Sequence, residues 1–182
     1  MKIGIAGVGG IGSNVAMNLV RAGIRNLKII DFDKVEQSNL NRQFYFENQI
    51  GQNKVEALKE NLLRINPELN IEIENLKLDK KNMYNALCEN DVIVEGFDKK
   101  EYKKDILEMF SDKDKILVSA SGIADNDIQN VKIKKIGNSY IVGDFKKDIE
   151  YYDVYFPKIN IIASMMSDII LSLYKVGSVK NL

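Results

Sequence analysis

The segment Lys2-Ile-Gly-Ile-Ala-Gly7-Val-Gly9-Gly10-Ile-Gly12-Ser13 runs from a short apolar strand directly into a glycine-rich turn. Glycines at these positions permit a tight turn, let backbone N–H groups approach phosphate oxygens, and allow the next helix to pack closely on the sheet. A helix to about residue 22 and a strand over 27–31 complete a βαβ unit. NAD, FAD and ATP folds all use such a turn, so the segment predicts a bound nucleotide without identifying it.

The remaining chain alternates between strand and helix patterns. Apolar spacing predicts helices over 54–65, 82–88, 100–110 and 159 to about 176, and strands over 71–76, 91–95 and 116–120. Two short strands, 131–136 and 139–143, are expected to pair antiparallel. The sequence therefore predicts an α/β, Rossmann-like fold: a mostly parallel twisted sheet with helices on both faces and a short antiparallel extension near the C-terminus. We expect a single domain over residues 1–182.

Composition excludes several classes of function. Lys plus Arg and Asp plus Glu both number 26, so no net field favours nucleic acid or an anionic membrane. No signal peptide is recognisable at the N-terminus, and no apolar run reaches the roughly 20 residues that cross a bilayer. We expect a cytoplasmic protein that binds neither nucleic acid nor membrane.

The chain has no histidine and one cysteine, Cys88. Histidine-based acid–base catalysis, histidine metal sites and cysteine-cluster zinc sites within one chain are therefore excluded. Cys88 lies in a short predicted helix, where we expect a small buried hydrophobe.

Charged side chains follow the second and fourth predicted strands. Asp31 ends a strand where a carboxylate commonly binds ribose hydroxyls. Arg42 can place a planar guanidinium on an α-phosphate, and Lys54 can reach other phosphate oxygens from the start of a helix. Asp98 follows the fourth strand, where it can hold Mg²⁺ against a triphosphate. Each alone is an ordinary solvated loop residue, but the ordered set favours ATP chemistry.

A nicotinamide-dependent enzyme is the main alternative to ATP chemistry at such a turn. It would need an acid or base beside the nicotinamide, and histidine is missing. Asp33 and the stretch from Asn39 to Arg42 have no evident use in hydride transfer. We therefore rank an NAD- or FAD-linked oxidoreductase below an ATP-dependent enzyme.

Taken together, these motifs resemble the ThiF/MoeB family, the bacterial relatives of ubiquitin-activating enzymes. The resemblance extends from residue 1 to about 125. It is carried by Gly7-x-Gly9-Gly10-x-Gly12-Ser13, Asp31-Phe-Asp33, Ser38-Asn39-Leu-Asn-Arg42-Gln43, Gly51-x-x-Lys54-Val-Glu-Ala, Arg64-Ile-Asn-Pro67 and Gly96-Phe-Asp98.

The resemblance implies a function for the chain. Family members adenylate the C-terminal glycine of a small ubiquitin-like sulfur-carrier protein ending in Gly-Gly, release pyrophosphate, and generally form homodimers. Adenylation would use Arg42, Lys54 and Asp98, with Asp98 holding Mg²⁺. The implied nucleotide-binding residues are Gly7, Gly9, Gly10 and Gly12, with Asp31 and Asp33 after the second strand and Asn39, Arg42 and Lys54 at the phosphates.

Departures from the family pattern narrow this expectation. Many members bind zinc through two CxxC pairs and some transfer sulfur through a loop cysteine, so we expect no zinc and leave sulfur transfer open. These absences resemble the short ThiF-like branch of thiamine biosynthesis. Other acceptors remain alternatives, namely a molybdopterin carrier, a peptide or a tRNA base. A non-catalytic module that binds a nucleotide or a carrier is a further alternative.

Two further regions carry weaker expectations. Residues 121–122 and 143–145 follow late strands, and we expect them to line the path of the carrier's tail. The terminal helix has a broad apolar face, which predicts mainly core packing and, by the family resemblance, some pairing with a second subunit.

Overall fold

The computed structural model of the protein describes residues 1–110, 113–147 and 151–178, except for the side chains of 175–178. The last residues of the expected domain, 179–182, lie outside this description. The strands are β1 (Ile3–Ala6), β2 (Asn26–Asp31), β3 (Asn70–Asn75), β4 (Val92–Glu95), β5 (Ile116–Ala120), β6 (Lys132–Ile136) and β7 (Ser139–Gly143).

These strands form one seven-stranded sheet in the order β3-β2-β1-β4-β5-β7-β6. Neighbouring strands run parallel from β3 through to β7, and β6 pairs antiparallel with β7 at the edge. The predicted α/β, Rossmann-like sheet with a short antiparallel extension is confirmed.

Five helices cover the two faces of the sheet. They are α1 (Gly10–Arg21), α2 (Lys54–Ile65), α3 (Met83–Leu87), α4 (Lys100–Phe110) and α5 (Phe156–Ser178). Buried residues of α1, α2 and α5 share one hydrophobic cluster with Ile5, and those of α3 and α4 share the other with Ala6. Successive residues of β1 thus face opposite helix layers, as expected for a sheet covered on both faces.

Helix α5 differs from the sequence expectation in two ways. It begins at Phe156 rather than near residue 159, because Pro157 is tolerated in a first helical turn. Over Phe156–Tyr174 it is also long and apolar enough to cross a membrane by length and composition, so the expectation that no such run exists was wrong. Ile162, Met166 and Ile170 are buried against the core, and a core helix passes the same test.

Cys88 is half-buried rather than buried, with Sγ 3.7 Å from the carbonyl oxygen of Asn85. Met83 and Leu87 occupy the core-facing positions of α3, and Cys88 caps its end beside them. The expectation of a buried cysteine was therefore wrong.

The sheet reverses its order between β1 and β4. From β1 the chain proceeds outward to β2 and β3, and from β4 it proceeds in the opposite direction to β5. Such a switch point leaves a crevice at the carboxyl ends of the strands, where open α/β sheets bind ligands. The glycine-rich turn after β1 and the loop after β4 both open into this crevice.

Two glycines of the turn after β1, Gly7 and Gly12, have no space for a side chain. Gly7 adopts a φ of +86°, which L-residues rarely occupy, and a Cβ on Gly12 would overlap the carbonyl oxygen of Gly7. A Cβ on Gly10 would meet only the Arg42 and Ile159 side chains at 3.7 Å, an ordinary contact distance.

We expect Gly12→Ala to lower the free energy of unfolding by about 1–3 kcal/mol, because the added methyl overlaps backbone that cannot move aside. Gly10→Ala is the matched control in the same turn and should change the unfolding free energy much less. Urea denaturation of both variants measures this, and equal losses would show that the Gly7–Gly12 contact is not tight.

Candidate functional site

A cavity of about 290 Å³ lies at the switch point, close to the lower bound of small-molecule sites, roughly 300–1,000 Å³. Its polar wall combines the glycine turn with charged residues from four further segments of the chain. The predicted site residues that line it are Gly7, Gly9, Gly10, Asp31, Asp33, Arg42, Lys54 and Asp98.

Hydrogen bonds from outside the glycine turn hold it in place. The N–H of Val8 donates to Asp31 Oδ2 at 2.7 Å, and the Tyr45 hydroxyl donates to the Val8 carbonyl at 2.8 Å. Helix α1 begins at Gly10 with no acidic residue in its first turn, so no carboxylate there competes for its N–H groups. A helix N-terminus in this state favours a phosphate group.

Two buried polar residues of α1 join the turn to the segment that contains Arg42. Ser13 Oγ donates to the Gly9 carbonyl at 2.6 Å and accepts the N–H of Phe44 at 3.0 Å. Asn14 Nδ2 donates to the carbonyls of Gly10 at 2.6 Å and Arg42 at 2.9 Å. Arg42 is therefore fixed by its backbone at one side of the glycine turn.

Arg42 lines the cavity, and part of the donor capacity of its guanidinium is in use. Nη1 donates to the Ser38 carbonyl and to Asn41 Oδ1, both at 2.8 Å. The described residues contain no carboxylate paired with Arg42, so its charge is available to a phosphate in the cavity.

Three more charged residues line the cavity beside Arg42, namely Lys54, Asp33 and Asp31. The Lys54 side chain is 8% exposed, and its Nζ lies 3.0 Å from Asp33 Oδ2. Burial raises the pKa of the Asp31 carboxyl above its ordinary value, although N–H groups of Asp33 and Val8 donate to it and favour the charged form. Asp31 is thus an acceptor that costs free energy to keep ionised.

Two predicted nucleotide-binding residues are not brought to the cavity wall. Asn39 is buried in the turn before Arg42, where Oδ1 accepts the N–H of Glu36 at 3.1 Å and Nδ2 faces Ser38 Oγ at 3.4 Å. Gly12 lies beneath the wall, packed on Gly7. Direct contact of either residue with a nucleotide stays a prediction; in this structure Asn39 shapes the turn that carries Arg42, and Gly12 permits the close helix packing.

Asp98 is exposed at the mouth of the cavity, after β4. No group of three or more His, Cys, Asp or Glu side chains within the described part of the chain could hold a metal ion by itself. A lone carboxylate beside a phosphate site fits Mg²⁺, which is commonly held by one or two carboxylates together with phosphate oxygens and water. The donor set thus suits a metal that arrives with a nucleotide.

Sequence reasoning missed the apolar wall of the cavity. Side chains from four separate segments build most of it, and they share no motif or spacing that could have indicated them. They are Ile30, Phe32, Leu76, Leu78, Phe97 and Tyr102. An apolar wall next to a ring of charges suits a ligand with an aromatic base and an anionic end.

Asp144 lies in a segment expected to line the path of a carrier tail, and that path stays a prediction. Its carboxylate is buried and accepts from Lys158 Nζ at 2.7 Å, as well as from the N–H groups of Lys146 and Lys147. A side chain engaged in this way supports the backbone of its own turn. Ile123 and Val154, from neighbouring segments, line the cavity instead.

The sequence profile of the ThiF family matches residues 1–171, and the chain belongs to this family. A stretch of 76 residues is 47% identical to ubiquitin-like modifier-activating enzyme 5 of Caenorhabditis elegans, covering 42% of this chain and 18% of that protein. Over 106 residues the chain is 36% identical to the molybdopterin-synthase adenylyltransferase of Haemophilus influenzae, covering 58% of this chain and 44% of that protein. The chain therefore spans less than half the length of these curated relatives.

Solved structures share the fold at low sequence identity. The Escherichia coli tRNA N6-threonylcarbamoyladenosine dehydratase, in complex with ATP, superimposes with a TM-score of 0.89 at 18% identity, covering 100% of this chain and 88% of that one. Escherichia coli MccB with ATP gives a TM-score of 0.74 at 22% identity, covering 92% and 54%. The Rossmann-like arrangement of this chain is thus that of known ThiF-family structures.

The raised pKa of Asp31 leads to a prediction for pH. We expect its carboxyl to titrate above the usual value of about 3.9. Asp125, whose pKa is lowered by the N–H of Asn126 and by Lys147, should titrate below Asp31. Carbon-detected NMR of the side-chain carboxyls measures both midpoints. An Asp31 midpoint below that of Asp125 would contradict the burial argument. A ligand whose hydroxyls donate to ionised Asp31 should bind more weakly as the pH falls through the Asp31 midpoint.

Proposed function

We propose that the protein is an ATP-dependent adenylyltransferase that activates the C-terminal glycine carboxylate of a small ubiquitin-like sulfur-carrier protein ending in Gly-Gly. One observation carries the proposal: a single cavity is lined by the glycine turn, Arg42, Lys54 and Asp98. Its apolar wall is suited to the adenine base and its charged side to a triphosphate. Family membership supports the same chemistry.

The reaction needs no histidine. A carboxylate oxygen of the carrier attacks the α-phosphorus of ATP, and the bond from that phosphorus to the oxygen bridging to the β-phosphate breaks. The products are an acyl-adenylate and pyrophosphate. Because the attacking carboxylate is already ionised at neutral pH, positioning and charge stabilisation supply the rate enhancement, and no general base is required.

The residues of the cavity divide this task. The N–H groups of Gly9 and Gly10 would bind phosphate oxygens at the start of α1, since those of Gly7 and Val8 already donate to Ile30 and Asp31. Arg42 would stabilise charge that grows on the α-phosphate, and Lys54 would neutralise the remaining phosphates. Asp98 would hold Mg²⁺, which when bound lowers the repulsion between the phosphates and the incoming carboxylate. Asp31 would accept a ribose hydroxyl.

Hydride transfer is less consistent with this cavity. The cation-rich side formed by Arg42 and Lys54 would lie against the redox half of a dinucleotide, where it has no evident role. None of the described lining residues is a histidine, since the chain contains none. An oxidoreductase therefore stays the weaker alternative.

The acceptor is inferred from the relatives. A stretch of 76 residues is 47% identical to an enzyme whose name gives a ubiquitin-like modifier as the protein that it activates, which supports a ubiquitin-like acceptor. A neutral net charge also argues against tRNA as the acceptor. A molybdopterin carrier or a peptide remains an alternative acceptor. The thiamine pathway, the cytoplasmic location and a homodimer formed partly through α5 stay predictions.

Intact-mass analysis tests the proposal directly. The protein is incubated with ATP, MgCl₂ and each of several small carriers ending in Gly-Gly, including thiamine- and molybdopterin-type carriers. We expect one carrier to gain the mass of an adenylyl group, that is, AMP less one water, and pyrophosphate to be released in equal amount. The carrier that reacts identifies the pathway.

Asp98→Ala should abolish this adduct because the Mg²⁺–triphosphate complex loses its carboxylate. Asp114→Ala, at an exposed carboxylate away from the cavity, is the matched control and should react normally. A folded Asp98→Ala protein that still forms the adduct would overturn the role of Asp98. ATP binding without an adduct on any carrier would overturn the proposed acceptor.

A further inference from the structure

Glu95, the last residue of β4, is a fully buried carboxylate that the proposed chemistry does not use. It is 0% exposed and is absent from the residues that line the cavity. A carboxylate taken out of water costs several kcal/mol unless it is paired and hydrogen-bonded. Its partners therefore indicate what it stabilises.

Both carboxylate oxygens of Glu95 are fully engaged. Oε1 accepts the backbone N–H of Phe97 at 2.6 Å, and Oε2 accepts the Ser119 hydroxyl at 2.5 Å. Lys103 Nζ lies 2.9 Å from Oε1 and 3.0 Å from Oε2, and it also donates to the Ala120 carbonyl at 3.2 Å. Lys103 of α4 thus joins the carboxyl ends of β4 and β5.

The backbone that Glu95 holds is the loop that carries Asp98. Gly96 packs against the turn after β1, where an added Cβ would overlap the Gly7 carbonyl. Phe97 follows, its N–H fixed by Glu95 and its ring in the cavity wall. No hydrogen bond or ion pair to the Asp98 side chain is found in the described part of the chain, so the backbone of the loop sets the point from which its carboxylate reaches.

We propose that the cluster of Glu95, Lys103 and Ser119 positions Asp98 for a Mg²⁺–nucleotide complex. This inference rests on the proposed function for the identity of the ligand. The three side chains are positioning residues, since none lines the cavity. Lys103 pairs with Glu95 and orients it, and Glu95 fixes the Phe97 N–H. The Phe97 backbone in turn carries Asp98 at the cavity, on the loop that packs against the glycine turn.

Two measurements test the proposal on Lys103→Met, Lys103→Arg and Ser119→Ala. Hydrogen exchange of the Phe97 amide in the free protein reports the loop without any nucleotide. Calorimetry then gives the ATP dissociation constant with MgCl₂ and with EDTA, and their ratio reports the contribution of Mg²⁺. Lys104→Met, which removes only an exposed pair with Glu108 on the same helix, is the matched control.

In Lys103→Met we expect faster exchange at Phe97 and a Mg²⁺ contribution reduced by roughly 10–100-fold, the usual cost of losing a residue that orients a metal ligand. ATP affinity in EDTA should change little. Lys103→Arg should restore both readouts, because a guanidinium also pairs with a carboxylate. Ser119→Ala keeps the ion pair, so it should shift the Phe97 exchange rate and the Mg²⁺ contribution in the same direction as Lys103→Met but by less. It replaces Lys103→Met as the test variant if that protein does not fold. Lys104→Met should match the wild type.

If the Phe97 amide of folded Lys103→Met exchanges at the wild-type rate, the positioning role is overturned, whatever the nucleotide result. If Lys103→Met does not fold, the same criterion applies to Ser119→Ala. Altered exchange with an unchanged Mg²⁺ contribution would overturn the link to Asp98. Failure of the wild-type protein to bind ATP would count against the proposed function instead, and it would leave the exchange measurement as the test of the cluster.

Discussion

The architecture of the site depends on one backbone-to-backbone contact. Gly7, Gly12 and Gly96 meet so closely that a Cβ on any of them would clash with backbone atoms. This contact sets the start of α1 and the loop after β4 at a fixed separation, on the two sides of the sheet's switch point. The N-terminus of α1 and Asp98 therefore line one cavity. The charged residues act within a frame that glycine makes possible.

Much of this could be predicted from the sequence. The strand and helix periodicities gave the correct elements because each buried face repeats locally, at two or about 3.6 residues. Arg42, Lys54 and Asp98 could be identified because each follows or begins a recognisable element at the same edge of the sheet. Parallel strands bring such edges together, so residues distant in sequence converge without any knowledge of packing. The apolar wall escaped prediction because its residues come from segments with no common pattern.

Other features depend on which way a side chain turns, and the sequence does not encode this locally. Asn39 lies in the expected segment, but its amide completes the turn below Arg42 and does not reach the cavity. In the sequence, Glu95 is the last residue of an apolar strand. Its carboxylate can be buried there because Lys103 and Ser119 approach it from other elements, which the local sequence does not indicate. Cys88 is half-exposed because neighbouring residues occupy the core-facing positions of its short helix. In each case tertiary contacts decide the role.

The central claim is that the ligand of this cavity is ATP. The most direct measurement is calorimetric titration of the wild-type protein with ATP in the presence of MgCl₂, alongside the same titration with NAD. We expect ATP to bind at one site per chain, with an affinity that is lost when Arg42 and Lys54 are both replaced by Met, and NAD to bind far more weakly. Tight NAD binding without ATP binding would contradict the account, because it would mean that the charged residues around the glycine turn serve a redox dinucleotide.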